Sequence, residues 1–95
     1  MFLSAYHYDG DPATLVGAYD RMRQGFPDDL FALHVCVVTA AGITVFDACP
    51  SRAVFEEFHR SPEFRGATAA AGLPEARVEP LGEVHDVVAA TGAHR

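Results

Sequence analysis

The sequence contains no tryptophan and only two cysteines, and neither cysteine lies in a Cys-x-x-Cys motif. Two cysteines are too few for a disulfide framework, so we expect Cys36 and Cys49 to be reduced thiols. No apolar run approaches the roughly 20 residues that span a membrane. The first residues, MFLSAYHYDGD, also lack the basic region of a signal peptide. These absences predict a cytoplasmic protein without a membrane segment.

Basic residues are scarce as well. Lys and Arg number 7 against 13 Asp and Glu, the formal net charge is −6, and the basic residues are scattered. Nucleic acids and anionic membrane surfaces require clustered basic residues, so we expect neither as a partner. Hydrophobic residues make up 49% and charged residues 21% of the 95, which is typical of one globular domain. We assign that domain to residues 1–90 and a flexible tail to 91–95.

Glycine, proline and serine divide the chain into strands and helices. The first strand is predicted at 2–8, followed by a helix that begins at Asp11-Pro12 and stops near Gly25. Two strands, at 30–39 and 43–49, are close enough to form a hairpin. A helix capped by Ser51 is interrupted at RSPEF, restarts at Ser61-Pro62 and ends at Gly72. The last strand lies within 76–89, and Pro80 and Gly82 indicate a bulged edge strand.

The order β-α-β-β-α-β predicts an α+β, ferredoxin-like fold, a four-stranded antiparallel sheet with two helices on one face. The hairpin carries four residues capable of chemistry. If Ala41 and Gly42 form its turn, Cys36 pairs with Asp47 and His34 pairs with Cys49, so all four share one face. Val38 and Val45 lie on that same face.

The other face of the hairpin is purely apolar, and we expect the helices to pack there. The predicted helix-side core is Leu15, Tyr19, Val35, Val37, Phe46, Phe55 and Phe58. The mixed face would then need a partner, and the simplest is a second copy of the chain. We therefore expect a homodimer with a small-molecule cavity between the two sheets.

Several side chains are candidates for this cavity. His34 is the candidate general base, since histidine titrates near neutral pH. Asp47 would orient it, and His85 joins if the last strand points it inward; these three are the predicted catalytic residues. The predicted ligand-binding residues are Tyr6, Tyr8, Cys36, Val38, Val45 and Cys49. Each candidate also has a structural interpretation: a core histidine, a solvated carboxylate, or buried thiols.

The element order, the size and the pattern VFDACPSRAVFEEFHRSPEF together resemble the dimeric α+β barrel superfamily, which includes antibiotic biosynthesis monooxygenases, polyketide cyclases and haem-binding members. The match lies in Ser51, Phe55 and Phe58. The sequence departs from the pattern at Cys49, where members of the superfamily often have tryptophan. The resemblance implies a homodimer with one cavity per subunit, but it does not transfer a reaction.

Three hypotheses of function follow. The first is a cofactor-independent, monooxygenase-like oxidation of an aromatic or polyketide-like molecule in secondary metabolism. The second is a polyketide cyclase or isomerase that uses the same histidine base. The third is a non-catalytic ligand-binding protein, or a haem protein with His59 or His85 as the axial ligand. No metal is expected, although a zinc site made of His34, Cys36, Asp47 and Cys49 is conceivable.

Overall fold

A computed structural model describes residues 1–89 as an α+β domain with a four-stranded antiparallel sheet and three helices. The elements are β1 (Phe2–Asp9), α1 (Pro12–Arg23), β2 (Leu33–Thr39), β3 (Gly42–Cys49), α2 (Arg52–Arg60), α3 (Pro62–Ala71) and β4 (Arg77–Glu83). The predicted order is confirmed, including the helix split in two. The tail predicted at 91–95 lies outside the described residues. None of the helices within 1–89 combines the length and apolar character needed to cross a bilayer.

Short polar side chains set the helix ends. The Asp11 carboxylate accepts a hydrogen bond from the Thr14 amide at 2.9 Å and so caps α1. Ser61 acts twice: its hydroxyl donates to the Phe58 carbonyl at the end of α2 and accepts from the Phe64 amide at the start of α3. Gly72 ends α3 in the left-handed conformation, at φ 95°. These are the boundaries that the sequence predicts.

The strand order in the sheet is β2-β3-β1-β4, with β2 and β4 at the edges. The register between β1 and β4 shifts where Leu3 pairs with Gly82 and Ser4 pairs with Pro80. Leu81 is thereby left without a partner, which makes a bulge. The predicted bulged edge strand is confirmed, and proline is tolerated there because an edge strand needs fewer ladder hydrogen bonds.

The predicted register of the β2–β3 hairpin is wrong by two residues. Thr39 pairs with Gly42, so Ala40 and Ala41 form the turn, and His34 pairs with Asp47. Because side chains alternate with a period of two, a shift of two residues leaves every side chain on its predicted face. The sorting of the hairpin into two faces therefore survives the error.

The helices cover the opposite face from the one expected. Val35 and Val37 are 42% and 40% exposed, whereas Val45 and Asp47 are buried beneath the helices. The prediction that Val35, Val37 and Phe46 belong to the helix-side core is wrong.

The physical reason is bulk together with polar satisfaction. On the helix side β1 contributes Phe2, Tyr6 and Tyr8, and Phe55 packs on Phe2 at a ring-centroid distance of 5.4 Å and on Tyr6 at 6.4 Å. On the other side β1 offers Leu3, Ala5, His7 and Asp9, which are smaller or polar. Asp47 can be buried on this side because it is hydrogen-bonded to His34. The core lies there, with Leu15 and Ala18 from α1 and Leu73 after α3.

Candidate active site

A histidine and a carboxylate face each other on the covered sheet face, near the open end of the β2–β3 hairpin. His34 on β2 and Asp47 on β3 are directly paired residues, and His34 Nδ1 is hydrogen-bonded to Asp47 Oδ1. The Asp47 side chain is 4% exposed and that of His34 is 22% exposed. Because an ionised carboxylate can only accept, Nδ1 carries a proton and donates it to Asp47. The opposed register thus fixes the orientation of the imidazole.

The second nitrogen of this imidazole contacts the first helix. Tyr19 on α1 places its hydroxyl 2.6 Å from His34 Nε2. Burial is the main cause that raises the pKa of Tyr19, so its hydroxyl stays protonated at neutral pH. In neutral His34 the Tyr19 hydroxyl therefore donates to Nε2. The chain Tyr19–His34–Asp47 leaves Nε2 as the nitrogen that can take up a proton.

A cavity lies beside the hydrogen-bonded residues Tyr19, His34 and Asp47, between the sheet and the helices. It is lined by Tyr6, Tyr8, Met22, Arg23, Phe26, Pro27, Asp28, Leu30, Phe31, His34, Val45, Asp47, Phe58 and Phe64. This cavity lies within the chain because the helices cover the mixed face; a cavity between the sheets of two chains stays a prediction. The cavity has a volume of about 30 Å³, which is enough to hold water.

Two tyrosines of β1 line the cavity. Tyr6 is 1% exposed and Tyr8 is 2% exposed. Burial, with a further contribution from the Asp47 carboxylate, raises the pKa of both phenols above the ordinary value. Both side chains therefore remain neutral O–H groups at physiological pH.

The structure brings together five of the predicted site residues and separates the other four. Those that line the cavity are His34, Asp47, Tyr6, Tyr8 and Val45. Four others do not line it. Cys49 is buried in the core, Cys36 packs at the core margin, Val38 is 60% exposed, and His85 is exposed after β4.

The thiols are not set up as nucleophiles. Burial raises the pKa of Cys36 and of Cys49, which disfavours the reactive thiolate. Within residues 1–89, no group of three or more His, Cys, Asp or Glu side chains is arranged to hold a metal ion. The four residues of the conceivable zinc site therefore do not converge.

Sequence reasoning did not place Tyr19 and Phe31 in the site. Tyr19 was assigned to the core because of its helical spacing, and that spacing carries no information about the partner of its hydroxyl. Phe31 lies before β2, and its ring is nearly parallel to the His34 ring, at 5.8 Å between centroids. The available signal that this segment contacts a cavity is its apolar residues Phe26, Pro27, Leu30 and Phe31, which lie outside any predicted helix.

A second, open groove runs between α3 and β4 and shares two lining residues with the cavity. Tyr8 and Phe64 line both. The rim of the groove carries Arg60, Arg65 and Glu75, and its volume is about 460 Å³. Arg60 is engaged by Glu56 at 2.9 Å and Arg65 by Glu75 at 3.4 Å. The groove offers room next to the enclosed cavity, but its cations are already paired.

Comparisons with protein-family models, with curated proteins and with solved structures gave no match to this chain.

Proposed function

We propose that the chain is a small homodimeric enzyme that removes a proton from an aromatic or polyketide-like molecule. In the preferred version of this proposal, O₂ then oxidises the deprotonated molecule without a cofactor. The observation that carries this proposal is the His34–Asp47 pair buried in the wall of an aromatic cavity. A buried carboxylate that fixes an imidazole through Nδ1 leaves Nε2 as the basic atom, which is the arrangement of a general base.

The proposed base acts through Nε2 of His34. In this structure the Tyr19 hydroxyl bonds to that atom, so the ligand replaces this hydroxyl as it binds. Asp47 stabilises the imidazolium that forms, because a charge in a poorly solvated site gains more from a neighbouring opposite charge than it would in water. Asp47 therefore acts through His34 and is a positioning residue.

The character of the cavity wall supports an aromatic ligand. Phe58 and Phe64 pack together at 4.7 Å between ring centroids, and Phe31 meets Phe58 edge-on at 5.2 Å. Flat apolar walls with a few polar groups are typical of sites for ring-shaped small molecules. The weakly acidic proton that the base needs is available in phenols and in CH₂ groups next to an aromatic ketone.

Entry requires movement of the outer wall, since an aromatic ring exceeds the present cavity. That wall is the segment 24–32 between α1 and β2. Arg23 holds it by donating to the Phe26 carbonyl at 2.9 Å and to the exposed Asp28 carboxylate at 2.6 Å. An exposed ion pair contributes little to stability. We therefore assign this segment as the lid of the cavity.

The oxidation is balanced when O₂ is the oxidant. His34 takes a proton from a CH₂ group, and the carbanion adds O₂. Return of the proton gives a hydroperoxide, and loss of water from it leaves a ketone. One oxygen atom ends in the product and the other in water. If the same carbanion instead attacks a carbonyl within the molecule, the enzyme is a cyclase, and no oxygen is consumed.

The outer face of the sheet supports the homodimer and, with it, the ferredoxin-like dimeric barrel architecture. It exposes Val35, Val37 and Leu81, next to the half-buried Leu3 and Phe46. The β1–β4 side of this face carries the ion pairs His7–Glu79 and Arg77–Asp9, so the apolar part lies mainly on β2 and β3, and an exposed apolar patch of this kind is typical of an interaction surface. A second copy supplies a matching face through two-fold symmetry.

The function is tested with anthrone, a tricyclic ketone with an acidic CH₂ group, in an oxygen electrode. We expect enzyme-dependent O₂ uptake and conversion to the diketone, with a fall of roughly 10²–10⁴-fold in His34→Gln. His85→Gln is the matched control, because His85 is exposed and outside the cavity. Loss of activity in His85→Gln but not in His34→Gln would refute this site. An absorbance spectrum of the purified protein separately tests for haem.

The dimer is tested by light scattering on Val37→Glu and Val54→Glu. The two valines are similarly exposed, at 40% and 43%, but Val54 lies on α2. We expect the wild type and Val54→Glu to be dimers and Val37→Glu to be a monomer. A monomeric wild type at micromolar concentration would refute the dimer, and a dimeric Val37→Glu would refute this interface.

A further inference from the structure

One polar group in the cavity wall has no partner. Among residues 1–89, the Tyr6 hydroxyl is the buried side-chain polar atom for which the structure provides no hydrogen bond. Native proteins rarely leave such groups unpaired, because a buried donor without a partner loses its hydration and gains nothing in return. A stable fold that keeps this group therefore gains something from it, and a hydroxyl in a cavity wall can gain an external partner.

The neighbours of Tyr6 fix the position of its hydroxyl. Its ring packs against Phe64 at 5.4 Å and against Phe55 at 6.4 Å. The Ser4 hydroxyl is close enough to lower the pKa of Tyr6 against the larger effect of burial, but it lies outside hydrogen-bond geometry with the Tyr6 hydroxyl and donates to the backbone carbonyl of Asp47. Packing thus holds Tyr6 in place without supplying an acceptor.

The cavity itself is where an acceptor can sit. Tyr6 lines it together with His34 and Asp47, so the unpaired donor and the candidate base border the same space. A ligand that enters this space when the segment 24–32 moves can place an oxygen against the unpaired hydroxyl. The neutral state of Tyr6 at physiological pH, described above, ensures that the group offers a proton and does not repel negative charge as a phenolate would.

We propose that the Tyr6 hydroxyl donates a hydrogen bond to the ionisable oxygen of the ligand, a phenol or an enolisable aromatic ketone, and stabilises the negative charge that develops on that oxygen. This rests on the proposed function, in which the His34–Asp47 pair removes the proton. A fixed donor directed at developing charge in a poorly hydrated site lowers the barrier to proton removal. The ligand must then carry an oxygen conjugated to the position that loses the proton.

The inference is tested with two probes of similar shape, 4-nitrophenol and nitrobenzene, which differ in the ionisable oxygen. Wild type should bind 4-nitrophenol about 10-fold to 100-fold more tightly, the range expected for one hydrogen bond to a developing or full charge. Tyr6→Phe should remove most of this difference and leave the affinity for nitrobenzene unchanged. In the same variant the ionisation of bound 4-nitrophenol, followed by its absorbance, should move to higher pH.

The other possible results would contradict either the role of Tyr6 or the proposed function. Equal loss of both probes in Tyr6→Phe means that Tyr6 acts through shape alone, and unchanged binding of both means that its hydroxyl contacts only water; either result overturns this inference. If neither probe binds to wild type, the cavity does not take aromatic ligands, and the proposed function falls as well. If Tyr6→Phe does not fold, the comparison of the two probes on wild type decides, and equal affinities overturn the inference.

Discussion

The contribution of the His34–Asp47 pair to the free energy of unfolding can be predicted from the burial of Asp47. Asp47 is 4% exposed, and its carboxylate bonds to His34. In His34→Leu the carboxylate stays buried without this partner, which should lower the free energy of unfolding by about 3–5 kcal/mol. In Asp47→Val, the less buried imidazole loses one hydrogen bond and keeps the one to Tyr19, which should cost about 1–3 kcal/mol.

The double variant should be far more stable than the two single variants suggest. Replacing both members of a buried polar pair by apolar residues of similar shape can be nearly neutral or stabilising, and the His34 ring already packs against Phe31. We expect the double variant to lie within about 1 kcal/mol of wild type, which corresponds to a coupling energy of about 3 kcal/mol or more.

The assay is urea denaturation followed by circular dichroism or tyrosine fluorescence, since the chain has no tryptophan. Protein concentration must be held constant, because the stability of the proposed dimer would depend on it. Effects that add to within about 0.5 kcal/mol would show that the two side chains are not coupled. Strong coupling together with a stable but inactive double variant would indicate that the pair is kept for chemistry and not for folding.

Three further predictions concern the fold. Ser61→Ala removes the hydroxyl shared by the end of α2 and the start of α3 and should lower the free energy of unfolding by about 1–2 kcal/mol in a urea titration. At Gly42 φ is 154°, and Gly42→Ala would place a Cβ 2.0 Å from the Tyr8 carbonyl oxygen. This variant should lower the free energy of unfolding by about 1–3 kcal/mol or prevent folding. Gly66→Ala is the control, because a Cβ there meets no atom within 4 Å and should not destabilise the protein. Above about pH 10, the unfolded chain loses phenolic protons that Tyr6 and Tyr8 keep in the folded protein, because their pKa values are raised there. The free energy of unfolding should therefore fall by roughly 1.4 kcal/mol per pH unit for each tyrosine. Tyr6→Phe should reduce this slope.

Much of the fold could be predicted because local signals decide it. Asp11, Ser51 and Ser61 fix helix starts, and Gly72 fixes a helix end through a conformation that favours glycine. These effects depend on neighbouring residues only, so a sequence contains them. The sorting of the hairpin into two faces was also accessible, since it depends on the period of a strand and not on the register.

The covered face of the sheet could not be read from the hairpin alone. Both faces of the hairpin are apolar enough to be buried, and the decision rests on Tyr6, Tyr8 and the helix phenylalanines, which come from distant parts of the chain. The pairing of His34 with Asp47 depended on a turn between small residues that fits more than one position. The hydroxyl of Tyr19 meets His34 only after α1 packs on the sheet, so no local pattern could predict it.

The central claim is that His34 removes a proton from a ligand in the cavity, and solvent deuterium exchange measures this step alone. Anthrone is incubated with the protein in D₂O under nitrogen, and incorporation of deuterium into its CH₂ group is followed by mass spectrometry. Without O₂ no oxidation competes, so the result does not depend on whether the natural reaction is an oxidation or a cyclisation. The account predicts that wild type accelerates exchange and that His34→Gln lowers the acceleration by roughly 10²–10⁴-fold. Acceleration of equal size in wild type and His34→Gln, or none in wild type, would contradict it.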